Sequence, residues 1–222
     1  MGINERRERE KTERRNAILD CARELILEQG VSRVSIEDIA RKAELSKATV
    51  YLYFSSKETL LKEICESSAK VFLEHFKLFL KTGVTGMEAL RGFWRGYVEL
   101  FGSSDEMIIV FEVYRFLNSG AFDIIEKSQS VSIHVDAILG VLNGIFEQCK
   151  AEGIFDPDVD TSMVTRLVLS IFFQTIEKAA RLSQEQRKSP AIIEEMTAAF
   201  QLIIRGVAKE GVPYNLLNIS QK

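Results

Sequence analysis

Cysteine, proline and histidine are all scarce in this chain, and each scarcity excludes something. Its 222 residues carry three cysteines, three prolines, two histidines and one tryptophan. Cys21, Cys65 and Cys149 are odd in number and far apart, which argues against a disulfide framework and fits reduced thiols used as small core residues. His75 and His134 have no H-x-x-x-H partner and no cysteine pair at metal-ligand spacing, so neither a zinc site nor a histidine base is expected. There is no P-loop, no dinucleotide glycine fingerprint and no G-x-S-x-G, so the expectation is no enzyme, no cofactor and no metal. No apolar run reaches the roughly 18 residues of a membrane span. The opening MGINERRERE lacks the apolar segment of a secretory signal, so a cytoplasmic protein without a membrane partner is expected. Strand signals are missing too: no hairpin pattern and no sustained alternation of apolar and polar residues.

What is present is ordinary globular material, 46% hydrophobic and 27% charged, long enough for one large or two small domains. The charge is unevenly spread. Residues 1–57 hold 12 basic against 10 acidic side chains, and the remainder holds 17 against 22. A mild positive excess at one end of an acidic chain is compatible with nucleic-acid binding, provided that individual Lys and Arg side chains supply the phosphate attraction.

The most informative stretch is Ser35 to Lys57. Ser35 and Asp38 form an S-x-x-[DE] capping box, and Ile36, Ile39 and Ala40 follow on one helical face. Glu44-Leu45-Ser46 interrupts the pattern, and Ser46 can cap a second helix. There Val50 and Phe54 make the inward ridge. Ala48 and Leu52 point directly away from it, Lys47 and Tyr51 lie on one flank, and Thr49 and Tyr53 on the other. Such a helix suits a major groove: hydroxyls and an ammonium reach phosphates and base edges, and Ala48 allows close approach. Two short helices at this spacing predict a helix-turn-helix.

The run DIARKAELSKATVYLYFSSKETLLKEI resembles the signature of the tetracycline-repressor (TetR) family of bacterial transcriptional regulators. The matching features are Ile39-Ala40, Ala43, Leu45, Ser46, Thr49, Val50-Tyr51, Tyr53-Phe54, Lys57-Glu58 and Leu60-Leu61, within a close match over about Thr12 to Leu61. Many members of that family carry Gly where this chain has Glu44. A positive φ there would cost Glu on the order of 1 kcal/mol. The resemblance implies a homodimer on a palindromic operator, with a small-molecule effector in the carboxy-terminal part. Ser35, Ser46, Lys47, Ala48, Thr49, Tyr51, Tyr53 and Lys57 are the expected duplex contacts. Lys57 would meet a phosphate from the first turn of its helix, where the helix dipole also favours an anion.

The expected fold is all-α: an amino-terminal three-helix domain, 1–55, with a charged arm, and a helical effector-binding and dimerisation domain, 56–222. Residues 4–15 are mixed in sign and read either as a solvated helical extension or as an arm whose Arg6, Arg7 or Arg9 reaches a minor groove. A helix is expected from Thr12 to a C′ Gly30, and another, capped by Ser55, from about Ser56 to Lys81. Further helices are expected at about 85–101, 105–118, 121–151, 161–182 and 190–209, with Ser119-Gly120 as a break, Ser189-Pro190 as a cap and N1 proline, and a loose tail after Gly211.

Two features of the second domain bear on function. The last two long helices are apolar on more than one face, which fits either an intramolecular core or a two-fold four-helix interface; the resemblance favours the interface, with Val168, Phe172, Ile192, Met196, Phe200 and Ile203 in it. Aromatic residues between them and the head offer an apolar effector pocket, drawn here from Phe93, Trp94, Tyr97, Phe111, Tyr114, Arg115, Phe146 and Phe172. Arg91, Arg95, Glu112 and Asn143 are further candidates to orient a polar group. A helical small-molecule-binding protein and a helical adaptor that uses the head to bind protein both stay open at this point.

Overall fold

A computed structural model describes residues 3–117, 133–179 and 182–220. Its helices are α1 (Ile3–Gln29), α2 (Ile36–Lys42), α3 (Lys47–Tyr53), α4 (Lys57–Lys77), α5 (Gly86–Ser103), α6 (Asp105–Leu117), α7 (Ile133–Ala151), α8 (Thr161–Ala179), α9 (Gln184–Arg187) and α10 (Pro190–Gly206). Among the described residues the only β feature is an isolated bridge between Phe155 and Ala208.

Local chemistry sets the boundaries. Ser35 and Asp38 close a reciprocal capping box on α2, Thr85 and Glu88 do the same on α5, and Ser46 Oγ accepts Thr49 N–H at the start of α3. α1 ends at Gly30, φ +82°, the left-handed residue that a C′ position favours. Several boundaries differ from expectation. α1 begins at Ile3 instead of Thr12, so the charged arm is helix. The cap of α4 is Ser56, whose Oγ accepts Thr59 N–H, while the Ser55 hydroxyl pairs with the Thr59 hydroxyl. The chain needs Ser55 to turn out of α3 before its extended residue, Ser56, can cap. α4 stops at Lys77, not Lys81. Pro190 does open α10, but Ser189 makes no side-chain cap bond. The short α9 was not expected; Ser183 and Gln186 form its capping box. The Ser119-Gly120 break and the start of the 121–151 helix lie outside the described residues.

Two apolar cores result. The first gathers Ile18 and Ala22 of α1, Ile39 of α2, Val50 and Phe54, Leu60 and Ile64 of α4, and Ile109 and Val113 of α6. The second gathers Phe72 and Phe76 of α4, the aromatics of α5, Phe146 of α7, Phe172 of α8 and Phe200 of α10. α4 therefore runs through both, and it packs most extensively against α6. Gly92 lets α5 approach this helix's end closely: a Cβ there would lie 2.5 Å from the Phe79 carbonyl oxygen.

The carboxy-terminal tail is docked, contrary to the expectation of a loose end. Leu217 and Ile219 are buried in the second core. Arg91 donates to the carbonyls of Asn218 (2.8 Å) and Leu216 (2.7 Å), and Gln201 bonds the Leu217 carbonyl and the Ile219 N–H. Two apolar side chains among polar neighbours carry too short a pattern to announce docking; the acceptors for Arg91 exist only in the fold.

Candidate nucleic-acid interface

The head is assembled around α1. Arg15 makes a two-pronged ion pair with Glu63 of α4, donates to the Tyr53 carbonyl at 2.8 Å, and lies 4.3 Å from the Phe54 ring centroid. One guanidinium thus ties α1 to the end of α3 and the start of α4, using both the fork geometry and the flat face of the group. Lys42 reaches back to Glu24 (3.0 Å) and Glu28 (2.8 Å), fixing α2 on α1.

The turn between α2 and α3 closes by the two bonds of a Schellman motif. Leu45 N–H donates to the Ala40 carbonyl at 2.8 Å and Glu44 N–H to the Arg41 carbonyl at 3.2 Å. Glu44 sits at φ +55°, the one non-glycine with positive φ among the described residues. The turn does require the left-handed conformation, and this chain holds it with a residue that has a Cβ.

On α3, Val50 and Phe54 are fully buried. Lys47, Ala48, Tyr51 and Leu52 project outward, Tyr51 at 45% exposure and Leu52 at 83%. Thr49 and Tyr53 are half-buried, and Tyr53 packs partly against the head core. The Ser46 and Thr49 hydroxyls are within 2.8 Å of each other, so Ser46 works mainly as a cap. Ser35 is exposed and is engaged by its own capping box with Asp38, which hydrogen bonding to Ser35 holds below the usual carboxylate range. Leu52 was missing from the expected contacts. An outward leucine does not announce polar chemistry, yet its place one turn after Ala48 was the available signal.

Lys57 is engaged within the chain. Its ammonium does not point from the helix start into solvent. It donates to the Val31 carbonyl at 3.0 Å and lies 4.7 Å from the Phe116 ring centroid. Burial pushes its pKa below the ordinary lysine value. A carbonyl in the α1–α2 turn and a ring from α6 are unrelated in sequence, so neither contact was legible beforehand; in the free chain Lys57 is a strut between head and body.

The expected pocket residues fall in three places. Phe93, Trp94, Tyr97, Phe146 and Phe172 are packed core: Tyr97 stacks on Phe172 with centroids 3.8 Å apart, Phe93 meets Phe76 at 4.8 Å and Phe146 meets Phe155 at 5.8 Å. Phe111 and Tyr114 line a small apolar recess of about 30 Å³ with Phe72, Ile138, Leu139 and Leu169. Arg115 pairs with Glu112 and Glu177 beside a polar cleft of about 580 Å³ between the end of α1, α6 and the end of α8. Of the other polar candidates, Arg91 holds the tail, Arg95 is exposed, and Asn143 accepts from Thr165. The Tyr97 hydroxyl is fully buried and has no hydrogen-bond partner among the described residues, and burial drives its pKa upward.

The expected interface also needs correction. Val168, Phe172, Met196 and Phe200 are buried within their own subunit, and Ile192 and Ile203 are half-buried. A helix apolar on several faces fills its own core first; the faces of α8 and α10 left outward carry Met163, Leu167 and Leu202. Among the described residues no group of three His, Cys, Asp or Glu is placed to hold a metal, and no helix is long and apolar enough to cross a membrane. His134 Nδ1 lies 2.6 Å from Glu66.

A capped helix pair displaying a polar, partly apolar outer face on a three-helix head, carried by a larger helical body, defines a helix-turn-helix protein of the two-domain all-α type. The pattern of bacterial regulatory proteins of the tetR family matches residues 18–64. The chain is 23% identical over 190 residues to the fatty acid metabolism regulator protein of Bacillus subtilis, covering 86% of this chain and 93% of that one. It is 43% identical over 60 residues to the HTH-type transcriptional regulator YvdT of Bacillus subtilis, 27% of this chain and 31% of that one. Its fold is shared with the transcriptional regulator FadR of Bacillus subtilis in complex with stearoyl-CoA, at TM-score 0.62 and 20% identity over 86% of this chain and 98% of that one. The helix-turn-helix segment is thus of the tetR type, and the relatives that span most of the chain are regulators of the same fold.

Proposed function

We propose that this chain is a ligand-responsive transcriptional regulator, a repressor that grips a palindromic operator as a homodimer and lets go when a small apolar or aromatic effector binds its second domain. The observation that carries this reading is α3, with Val50 and Phe54 locked inward and Lys47, Ala48, Tyr51 and Leu52 presented outward. In a major groove Lys47 and the tyrosine hydroxyls meet phosphates or base edges, while Ala48 and Leu52 suit the thymine methyl group. Residues to about 55 form the duplex-reading unit.

One such helix reads too few bases for an address. Two of them, related by a two-fold axis, would meet half-sites one helical turn, about 34–36 Å, apart. Met163 and Leu167 on α8 and Leu202 on α10, flanked by Ile192 and Ile203, are the apolar side chains available to a second copy. The body supplies the response. Its aromatic core surrounds a buried hydroxyl that lacks a partner, a group that an apolar ligand with one acceptor atom would satisfy. Opening that core displaces α4, which is built into both cores, and with it the Lys57 strut to Val31. The effector shifts the balance only by its preference for the released conformer. A long acyl thioester is the first ligand class to try, because the B. subtilis protein of the same fold is in complex with stearoyl-CoA.

The test is selection of genomic fragments by the purified chain, followed by titration of the enriched fragment with and without stearoyl-CoA. Enrichment of an inverted repeat, bound in a salt-dependent way, supports the reading. Recovery of random fragments only, with no saturable duplex binding, overturns it.

A further inference from the structure

The first three turns or so of α1 project beyond the head. Ile18 is the first residue of α1 in the core, and residues 4–14 are exposed throughout. A helix with no packing partner there needs a reason for its charge pattern. Arg6 pairs with Glu10 at 2.8 Å and Arg9 with Glu13 at 3.1 Å, so those two guanidiniums are neutralised along the helix surface. Arg7, Lys11 and Arg14 are spaced four and three apart and therefore share one face. Among the described residues none of these three makes an ion pair of 4 Å or less, although acids lie close in sequence.

The direction of that face follows from Arg15. Lys11 precedes Arg15 by four residues, so the two side chains stand one above the other. Arg15 is fixed at the carbonyl of Tyr53, the last residue of α3, and over the Phe54 ring. The basic stripe thus starts at Arg14, beside the residue fixed at the end of α3, and runs onward for about 10 Å to Arg7, at 1.5 Å per residue. A major groove is about 12 Å wide and walled by phosphates, so a helix leaving the end of α3 on this course passes over the backbone beside the groove.

We propose that the overhang of α1 is a second nucleic-acid contact, a rigid basic edge in which Arg7, Lys11 and Arg14 rest on phosphates flanking the site read by α3. The ligand class is the duplex phosphodiester backbone, recognised by charge without base preference. Arg6 and Arg9, the residues that a flexible arm would have put into a minor groove, are held back by their glutamates. This inference rests on the duplex-binding reading of α3.

Its test compares the full chain with an Arg7→Ala, Lys11→Ala, Arg14→Ala triple variant and an Arg6→Ala, Arg9→Ala control. Each is titrated by fluorescence anisotropy at a series of salt concentrations, against the selected operator fragment and an unrelated duplex of equal length. Each lost phosphate contact removes about 0.9 from the slope of log K against log salt, so the triple variant, which loses three contacts on each protomer of the dimer, should lose about 5–6 on both duplexes and the control close to none. Trimming the duplex to the half-sites alone should erase the difference between parent and triple variant. A triple variant with the parent's slope, or a control with the larger loss, overturns the proposal. A parent that binds neither duplex fails at the earlier step, because it removes the reading of α3 as well.

Discussion

The head and the body of this molecule keep their working residues in opposite places. In the head, the core is finished by Val50, Phe54 and Ile39, and the residues proposed to act stand outside it. In the body, the residues proposed to act are themselves the core: Trp94, Tyr97 and Phe172 touch one another with no space between them. The head can therefore bind without changing shape, whereas the aromatic core of the body can take up a ligand only by opening. That asymmetry is what a reader joined to a switch requires.

Mutations should separate the two regions, and the largest effects come from their cores. Phe54→Ala should lower stability by about 3–5 kcal/mol in urea titration, because its ring is fully buried and floors Arg15. Operator binding should fall with it. Tyr51→Ala should do the reverse, weakening a specific operator contact by about 1–3 kcal/mol while leaving the unfolding midpoint within experimental scatter. If both substitutions moved stability and binding together, the separation of core from surface in the head would be wrong. In the body no such separation is expected, and Phe172→Ala should lower stability and ligand response alike.

Two smaller effects sharpen the contrast. Tyr97→Phe removes a buried hydroxyl without a partner and should raise thermal stability by about 1 kcal/mol, while weakening whatever effector hydrogen-bonds there. A loss of stability would mean that the hydroxyl already has a partner. Glu44→Gly relieves a left-handed residue and should add on the order of 1 kcal/mol, with operator affinity as the second readout. An unchanged midpoint would place the strain elsewhere.

The same asymmetry explains what the sequence disclosed. The helix pair around Ser46, its caps and its inward ridge are all set within about ten residues, so periodicity and capping chemistry expose them. The long helices of the body follow from the same local rules. Apart from helix ends and the short α9, the misses concern long-range partners. Lys57 finds a carbonyl at Val31 and a ring at Phe116; Arg91 finds carbonyls more than a hundred residues away. Val168 and Phe200 looked available for a second copy because an apolar face does not say which neighbour covers it. Even the arm follows this rule: helix propensity at Arg6 to Arg15 was legible, but the stripe left unneutralised was not, because it depends on which glutamates each arginine takes.

Hydroxyl-radical footprinting of the selected operator tests the central claim most directly. The account predicts two equal protected patches related by a two-fold axis and centred about one helical turn apart, both fading in the Tyr51→Ala protein at concentrations where the parent protects fully. A single unsymmetrical patch, or protection that survives Tyr51→Ala unchanged, would contradict it.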